Sequence, residues 1–345
     1  MSPRRIAVVL LNLGGPDSLK AVRPFLFNLF KDPAIMPLPA AARLAVAGLI
    51  STLRARTAKA NYAHMGGASP LLRETEAQAG ALLSALARRL PDDDVRIFIA
   101  MRYWKPFTAD AARQVEAFAP DEVVLLPLYP QFSSATTGSS LAAWTKAYGG
   151  PGEARAACCW FELDGLVDAH VRRIRSCWEA AGRPDRVRVL FSAHGLPERD
   201  IEKGDPYRWQ VEQTCAAIAR RLEWPWDVRV CYQSRVGPLK WIGPSTPEAI
   251  IEACEDGMNV LIDPVAFVSE HVETLVELDR DYAELAETRG CEVYLRAATV
   301  GTEPGFIDAL ADVTIRALGR DSGERPDGRA CEAGRGGCPL RRRAA

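Results

Sequence analysis

The sequence predicts an α/β protein built on parallel, doubly wound sheets. Short apolar, β-branched runs recur along the chain, each ending on Gly, Pro or a small polar residue, which is the pattern of a buried parallel strand. Longer segments with helical spacing lie between them, so strand and helix alternate. The two halves also start alike. IAVVLLNLGGP (6–16) and VRVLFSAHGLP (187–197) both read strand, polar step, glycine, one residue, proline. That likeness suggests two similar α/β lobes.

In chain order, the strand at 6–13 ends in Asn12-Leu13-Gly14-Gly15-Pro16, and Asp17-Ser18 offer N-cap oxygens to a helix through 25–30. Three prolines make residues 32–39 a loop. The apolar helix at 40–53 falls short of the roughly 20 residues that span a bilayer, so it is either a core helix or one lying in an interface. A Gly-rich connection (61–70) leads to a long helix at 70–90, then a strand at 95–101 that runs into Arg102-Tyr103. A helix near 108–118 precedes a strand at 122–128, closed by Tyr129-Pro130-Gln131. SSATTGSS (133–140) then opens another helix. The second half predicts strands at 154–160, 187–191, 228–232, 259–262 and 291–296. They alternate with helices at 166–181, 205–222, 248–255, 270–287 and 306–318. Residues 319–345 are rich in Arg and Gly without an apolar period, the composition of a disordered tail.

A chain of 345 residues suits one large or two ordinary domains. Its 43 basic and 44 acidic residues leave no nucleic-acid footprint. The N-terminus passes from a basic start directly into strand-like sequence without an A-x-A cleavage site, so the expectation is a cytoplasmic protein. Nine cysteines, an odd number, do not make a secreted disulfide framework. Most read as buried thiols. Cys331 and Cys338 stand apart, in surroundings that are not core-like.

His194, one of four histidines, falls at a strand's carboxyl end, where open α/β sheets place their ligand crevices. The competing reading is a loop histidine satisfied by a backbone carbonyl. Glu273, Glu277 and Asp281 recur at i, i+4 and i+8 and stack as an acidic stripe on one helix face. That stripe is either a solvated face or one turned toward the crevice of His194. Imidazole and carboxylates together suit a divalent cation or proton traffic. HExxH and Walker A motifs are absent, and Asn12-Leu13-Gly14-Gly15 is not GxGxxG.

SAHGLP (192–197), GPLKWIGP (237–244) and FVSEHVETLVELD (267–279) carry a resemblance to the ferrochelatase family. LNLGGP (11–16), YAHMGGASP (62–70), Tyr129-Pro130-Gln131-Phe132 and SSATTGSS extend it, in order, over nearly the whole chain. The resemblance implies two Rossmann-like lobes with parallel sheets and an active-site cleft between them. The lobes are drawn at 1–162 and 163–304, followed by a helix at 305–318 and the tail at 319–345. It implies insertion of Fe²⁺ into protoporphyrin IX, giving protohaem and two protons. Use of coproporphyrin III, or a non-catalytic tetrapyrrole-binding protein of the same fold, are the alternatives.

By the same resemblance His194 and Glu273 are the catalytic and Fe²⁺-handling pair, with Glu277 and Asp281 as a proton or metal path. Tyr129, Trp241, Phe267, Arg102 and Tyr103 belong to the porphyrin pocket, and residues 35–56 to an apolar lip at the membrane surface. The tail resembles extensions that hold a [2Fe–2S] cluster, which needs four ligands. Cys331 and Cys338 supply two. The family's cysteine in the turn before TTGSS is Ser134 here, so Cys158 and Cys159 complete the set, with Cys177 in reserve. Adjacent residues on a strand at 154–160 face opposite ways, so using both requires a local distortion. Cluster-bearing relatives also imply a homodimer.

Overall fold

The computed structural model describes residues 3–157, 159–223, 226–235, 237 and 239–318. The chain divides into two compact units. One runs up to Cys159 and takes in the described residues from Leu310; the other is Trp160–Ala309.

The first unit holds strands β1 (Arg5–Asn12), β2 (Asp94–Met101), β3 (Glu122–Pro127) and β4 (Glu153–Ala156), all parallel, in the order β2-β1-β3-β4. Ile6 to Leu11 on β1 have no exposed surface, as befits a central parallel strand covered on both faces. Its helices are α1 (Val22–Phe30), α2 (Ala40–His64), α3 (Leu71–Arg89), α4 (Thr108–Phe118) and α5 (Ser139–Ala147), the last preceded by a π-helical turn over Ser134–Gly138.

The second unit repeats this topology. Its elements are α6 (Asp164–Ala180), β5 (Val187–His194), α7 (Glu198–Glu202), α8 (Tyr207–Arg221), β6 (Asp227–Gln233), α9 (Thr246–Glu255), β7 (Asn259–Asp263), a π-helical segment Glu273–Asp281, α10 (Tyr282–Thr288) and β8 (Tyr294–Arg296). Its parallel strands are ordered β6-β5-β7-β8, the same arrangement of first, second, third and fourth strand as in the first unit. The likeness of the two strand–Gly–x–Pro motifs thus extends to whole sheets. In each unit the first and third strands lie side by side, which makes the topological switch point where such sheets bind ligands. A last helix, α11 (Pro304–Ala317), follows.

Three elements differ from the sequence reading. The strand expected at 154–160 is β4 and ends at Ala156, so Cys159 lies beyond it and strand alternation does not govern that thiol. Cys158, Cys331 and Cys338 lie outside the described residues. The apolar helix continues to His64, because the residues after Leu53 are sound helix formers until Gly66-Gly67. It is not a core helix. Its buried residues are Ala47, Ser51 and Tyr62, whereas Leu44, Leu49 and Leu53 are 49, 61 and 70% exposed. No helix among the described residues is long and apolar enough to cross a membrane. Finally, the helix expected at 270–287 is π-helical from Glu273 to Asp281 before α10 begins.

Candidate active site

Strand β5 is buried along its length until its last residue, His194, which is partly exposed at the carboxyl end. The next residue is glycine for a steric reason: a Cβ on Gly195 would sit 3.1 Å from the Gln233 carbonyl and 3.2 Å from the Trp241 ring. This close approach lets Gly195 N–H donate to Gln233 O at 2.8 Å and holds the turn after β5 against the end of β6. The Gly195 carbonyl lies 2.6 Å from His194 Nδ1. A carbonyl only accepts, so Nδ1 carries the proton and Nε2 is the nitrogen left for chemistry. The backbone-carbonyl reading of this histidine therefore holds for one ring nitrogen and frees the other.

Strand β7 ends at Asp263, and the segment after it turns back to present Phe267, His271 and Glu273. Glu273 Oε1 lies 3.8 Å from His194 Nε2, and Oε2 lies 3.8 Å from His271 Nε2. Both gaps exceed a hydrogen bond. One carboxylate thus stands between two imidazoles without being closed off by either, and its Oε2 makes no hydrogen bond. Burial alone would raise the Glu273 pKa. The His194 charge, followed by His271, overrides burial and holds the carboxyl at about 2. The Phe267 ring packs on His271 with centroids 4.5 Å apart, and Trp241 lies 6.5 Å from His194.

His271 is the residue beside Glu273 that sequence reasoning passed over. It stood inside the motif FVSEHVETLVELD, two positions before Glu273, and that position beside the acidic stripe was the only signal for it. Farther along the stripe the three carboxylates part company. Glu277 is partly buried and takes four hydrogen bonds, from Ser234 N, Ser234 Oγ, Gln233 Nε2 and Tyr282 OH, while Asp281 is exposed.

The remaining pocket residues of the sequence reading lie in the first unit. Tyr103 has no exposed surface, and its hydroxyl donates to Asp32 Oδ2 at 2.9 Å. Arg102 pairs with the same oxygen at 2.7 Å and donates to Ser139 Oγ at 2.7 Å. Asp32, read only as the start of a loop, is the buried centre of that cluster. Burial raises the Tyr103 and Tyr129 phenols well above their usual range, so both stay protonated. Of the four cysteines expected to hold a cluster only Cys159 is described, and it is buried. Cys177 is partly buried, and burial raises its pKa. Among the described residues no group of three or more His, Cys, Asp or Glu could hold a metal ion.

The sequence model of the ferrochelatase family matches residues 5–318. The chain belongs to the ferrochelatase family. It is 57% identical over 338 residues to the ferrochelatase of Phenylobacterium zucineum (strain HLK1), covering 98% of each chain. It is 58% identical over 340 residues to that of Caulobacter vibrioides (strain NA1000 / CB15N), again covering 98% of each. Among solved structures it is similar to a multi-domain Deinococcus radiodurans protein described as resembling chelatases, with a TM-score of 0.53 at 16% identity. That match covers 97% of this chain and 57% of the other. It is also similar to CbiX, described as the terminal enzyme for biosynthesis of siroheme in denitrifying bacteria. There the TM-score is 0.50 at 17% identity, covering 91% of this chain and 100% of the other. At such identities the structures speak for the fold, and they agree with its two parallel sheets flanked by helices.

Proposed function

We propose that this chain inserts Fe²⁺ into protoporphyrin IX, with His194 and Glu273 as the reacting pair. The family match makes it a porphyrin metal chelatase, a lyase. The reaction removes two pyrrole N–H protons as the metal enters and changes no oxidation state. It needs a base and a group that draws the cation.

The observation that carries the assignment is the depressed Glu273 carboxyl between two imidazoles. A carboxyl held at about 2 remains anionic and is a poor acceptor for a pyrrole proton, so it is the group that attracts Fe²⁺. Imidazole is the side chain most often used as a general base. With Nδ1 bonded to the Gly195 carbonyl, His194 Nε2 is the proton acceptor.

The exposed leucines of α2 support protoporphyrin over the four-carboxylate coproporphyrin III, because apolar side chains left in water suit a greasy substrate delivered from a membrane surface. Sedimentation with anionic lipid vesicles tests that lip: wild type should pellet, and a Leu44/Leu49/Leu53→Ser variant should stay in the supernatant. The proposal includes a [2Fe–2S] cluster that Cys331 and Cys338 would help to hold, as a structural or sensing group. A colourless, iron-free anaerobic preparation would retire it. The main test is an anaerobic assay with Fe²⁺ or Zn²⁺ and each porphyrin, followed by absorbance. Protoporphyrin should be metallated faster than coproporphyrin III; no metalloporphyrin with either would sink the enzymatic reading.

His271 has its own expected signature. Glu273 ionises below its usual range, so its charged form adds stability that is present above the unfolded pKa of about 4.3 and lost as pH falls toward about 2. His271→Ala removes one of the two cations and lets that pKa rise. The variant should therefore melt below wild type at about pH 5, and its deficit should shrink as pH falls below about 4. An equal deficit at both pH values would show that His271 acts by packing alone.

A further inference from the structure

We infer that Glu277 is a positioning residue, locking the end of β6 to the π-helical turn and thereby setting the spacing between His194 and Glu273. This rests on the reading of those two as the reacting pair.

Glu277 Oε1 accepts from Ser234 N at 2.9 Å and from Tyr282 OH at 2.7 Å. Its Oε2 accepts from Gln233 Nε2 at 3.1 Å and from Ser234 Oγ. Four donors on two oxygens fill the acceptor capacity of a carboxylate. A group relaying protons or a cation needs an oxygen open to its cargo, and Glu277 has none in this arrangement. Nor does it hand on to an equivalent neighbour, since Asp281 is exposed.

The backbone beneath it points the same way. Ser234 has φ +64°, in the left-handed region that non-glycine residues rarely occupy, and Glu277 holds both its N–H and its hydroxyl. Gln233 is fully buried and sits opposite His194 in the β5–β6 register. Its amide donates to the Glu273 carbonyl at 3.1 Å as well as to Glu277. Its side-chain oxygen accepts from Ser192 Oγ at 2.8 Å. Ser192 lies two residues before His194 on β5 and therefore on the same face of the strand. An unbroken run of hydrogen bonds thus joins the strand that carries His194 to the backbone of Glu273, with Glu277 as its anchor. Loosening the anchor moves the two reacting groups relative to each other.

The lock and the conduit make opposite demands on residue 277: hydrogen bonding for one, charge for the other. Glu277→Gln keeps a carbonyl for Ser234 N–H and Tyr282 OH, and the Ser234 hydroxyl can reverse to accept from its amide, so of the four bonds only the one from the Gln233 amide is lost. Glu277→Ala keeps neither charge nor bonds. With Zn²⁺ and protoporphyrin as probes, Glu277→Ala should lose about tenfold or more in kcat/KM for the metal, with the porphyrin KM unchanged. Glu277→Gln should recover to within about threefold of wild type. Tyr282→Phe, which deletes one donor, should fall between them. Melting temperatures accompany each assay, and should Glu277→Ala fail to fold, Glu277→Gln against wild type decides alone. A Glu277→Gln enzyme impaired by about tenfold or more would make the charge essential and overturn the lock. So would wild-type rates in all three variants. The underlying pair is tested separately: if His194→Ala and Glu273→Gln retain wild-type rates, the pair reading fails whatever residue 277 does.

Discussion

Glu273→Gln should lower turnover by about 10²–10³-fold, the usual cost of removing one preorganised electrostatic group from an active site. The amide is nearly isosteric with the carboxyl, so what changes is charge. Wild-type Glu273 stays anionic because the nearby imidazoles outweigh its burial. Its two oxygens lie 3.8 Å from His194 and His271, so it is neither neutralised by a close ion pair nor saturated by hydrogen bonds. That leaves a standing negative charge for an arriving dication. Glutamine offers a dipole instead, and the loss should appear in the metal KM and in kcat, while porphyrin binding measured by fluorescence quenching stays at the wild-type value. A variant that metallates protoporphyrin at the wild-type rate would remove Glu273 from the chemistry.

Much of this site was legible before any coordinates, for physical reasons. The end of β5 announced itself because a buried parallel strand needs a continuous apolar run, although that run alone left its last residue, His194, open to a structural reading. The parallel sheets followed from strand–helix alternation, whereas the order of their strands did not. The π-helical segment was not legible. Its i→i+5 pairing depends on what its side chains meet in three dimensions, and Glu277 meets donors on Gln233 and Ser234, some 40 residues away in sequence. Read as an α-helix, the segment gave a uniform acidic stripe; in the fold Glu273 faces histidines, Glu277 is bonded in and Asp281 is exposed. The outward face of α2 was hidden for a related reason. Its apolar residues occur all round the helix, so periodicity could not say which ones the core takes, and the core takes Ala47 and Ser51. Asp32 escaped notice because its partners, Arg102, Tyr103 and Ser139, come from two distant places in the chain.

His194→Ala should be at least as damaging, about 10²–10⁴-fold in kcat, the range general acid–base groups contribute. The ring is fixed by Nδ1 donating to the Gly195 carbonyl, so Nε2 points a lone pair toward the Glu273 side rather than sampling two tautomers. Alanine removes the acceptor and, with it, the ring whose protonated form holds the Glu273 carboxyl low, so part of the damage passes through the carboxylate. The two substitutions should therefore not add. If the histidine takes protons and the carboxylate draws the metal in one coupled step, His194→Ala/Glu273→Gln should be little slower than the worse single variant, the behaviour of residues that act as a unit. Strictly multiplicative losses would mean that the two groups serve separate steps. Added imidazole supplies a further discriminant: it should restore part of the His194→Ala rate, because a small base can enter the vacated space, and none of the Glu273→Gln rate. Rescue of both, or of neither, would contradict the division of labour between proton acceptor and cation-drawing carboxylate.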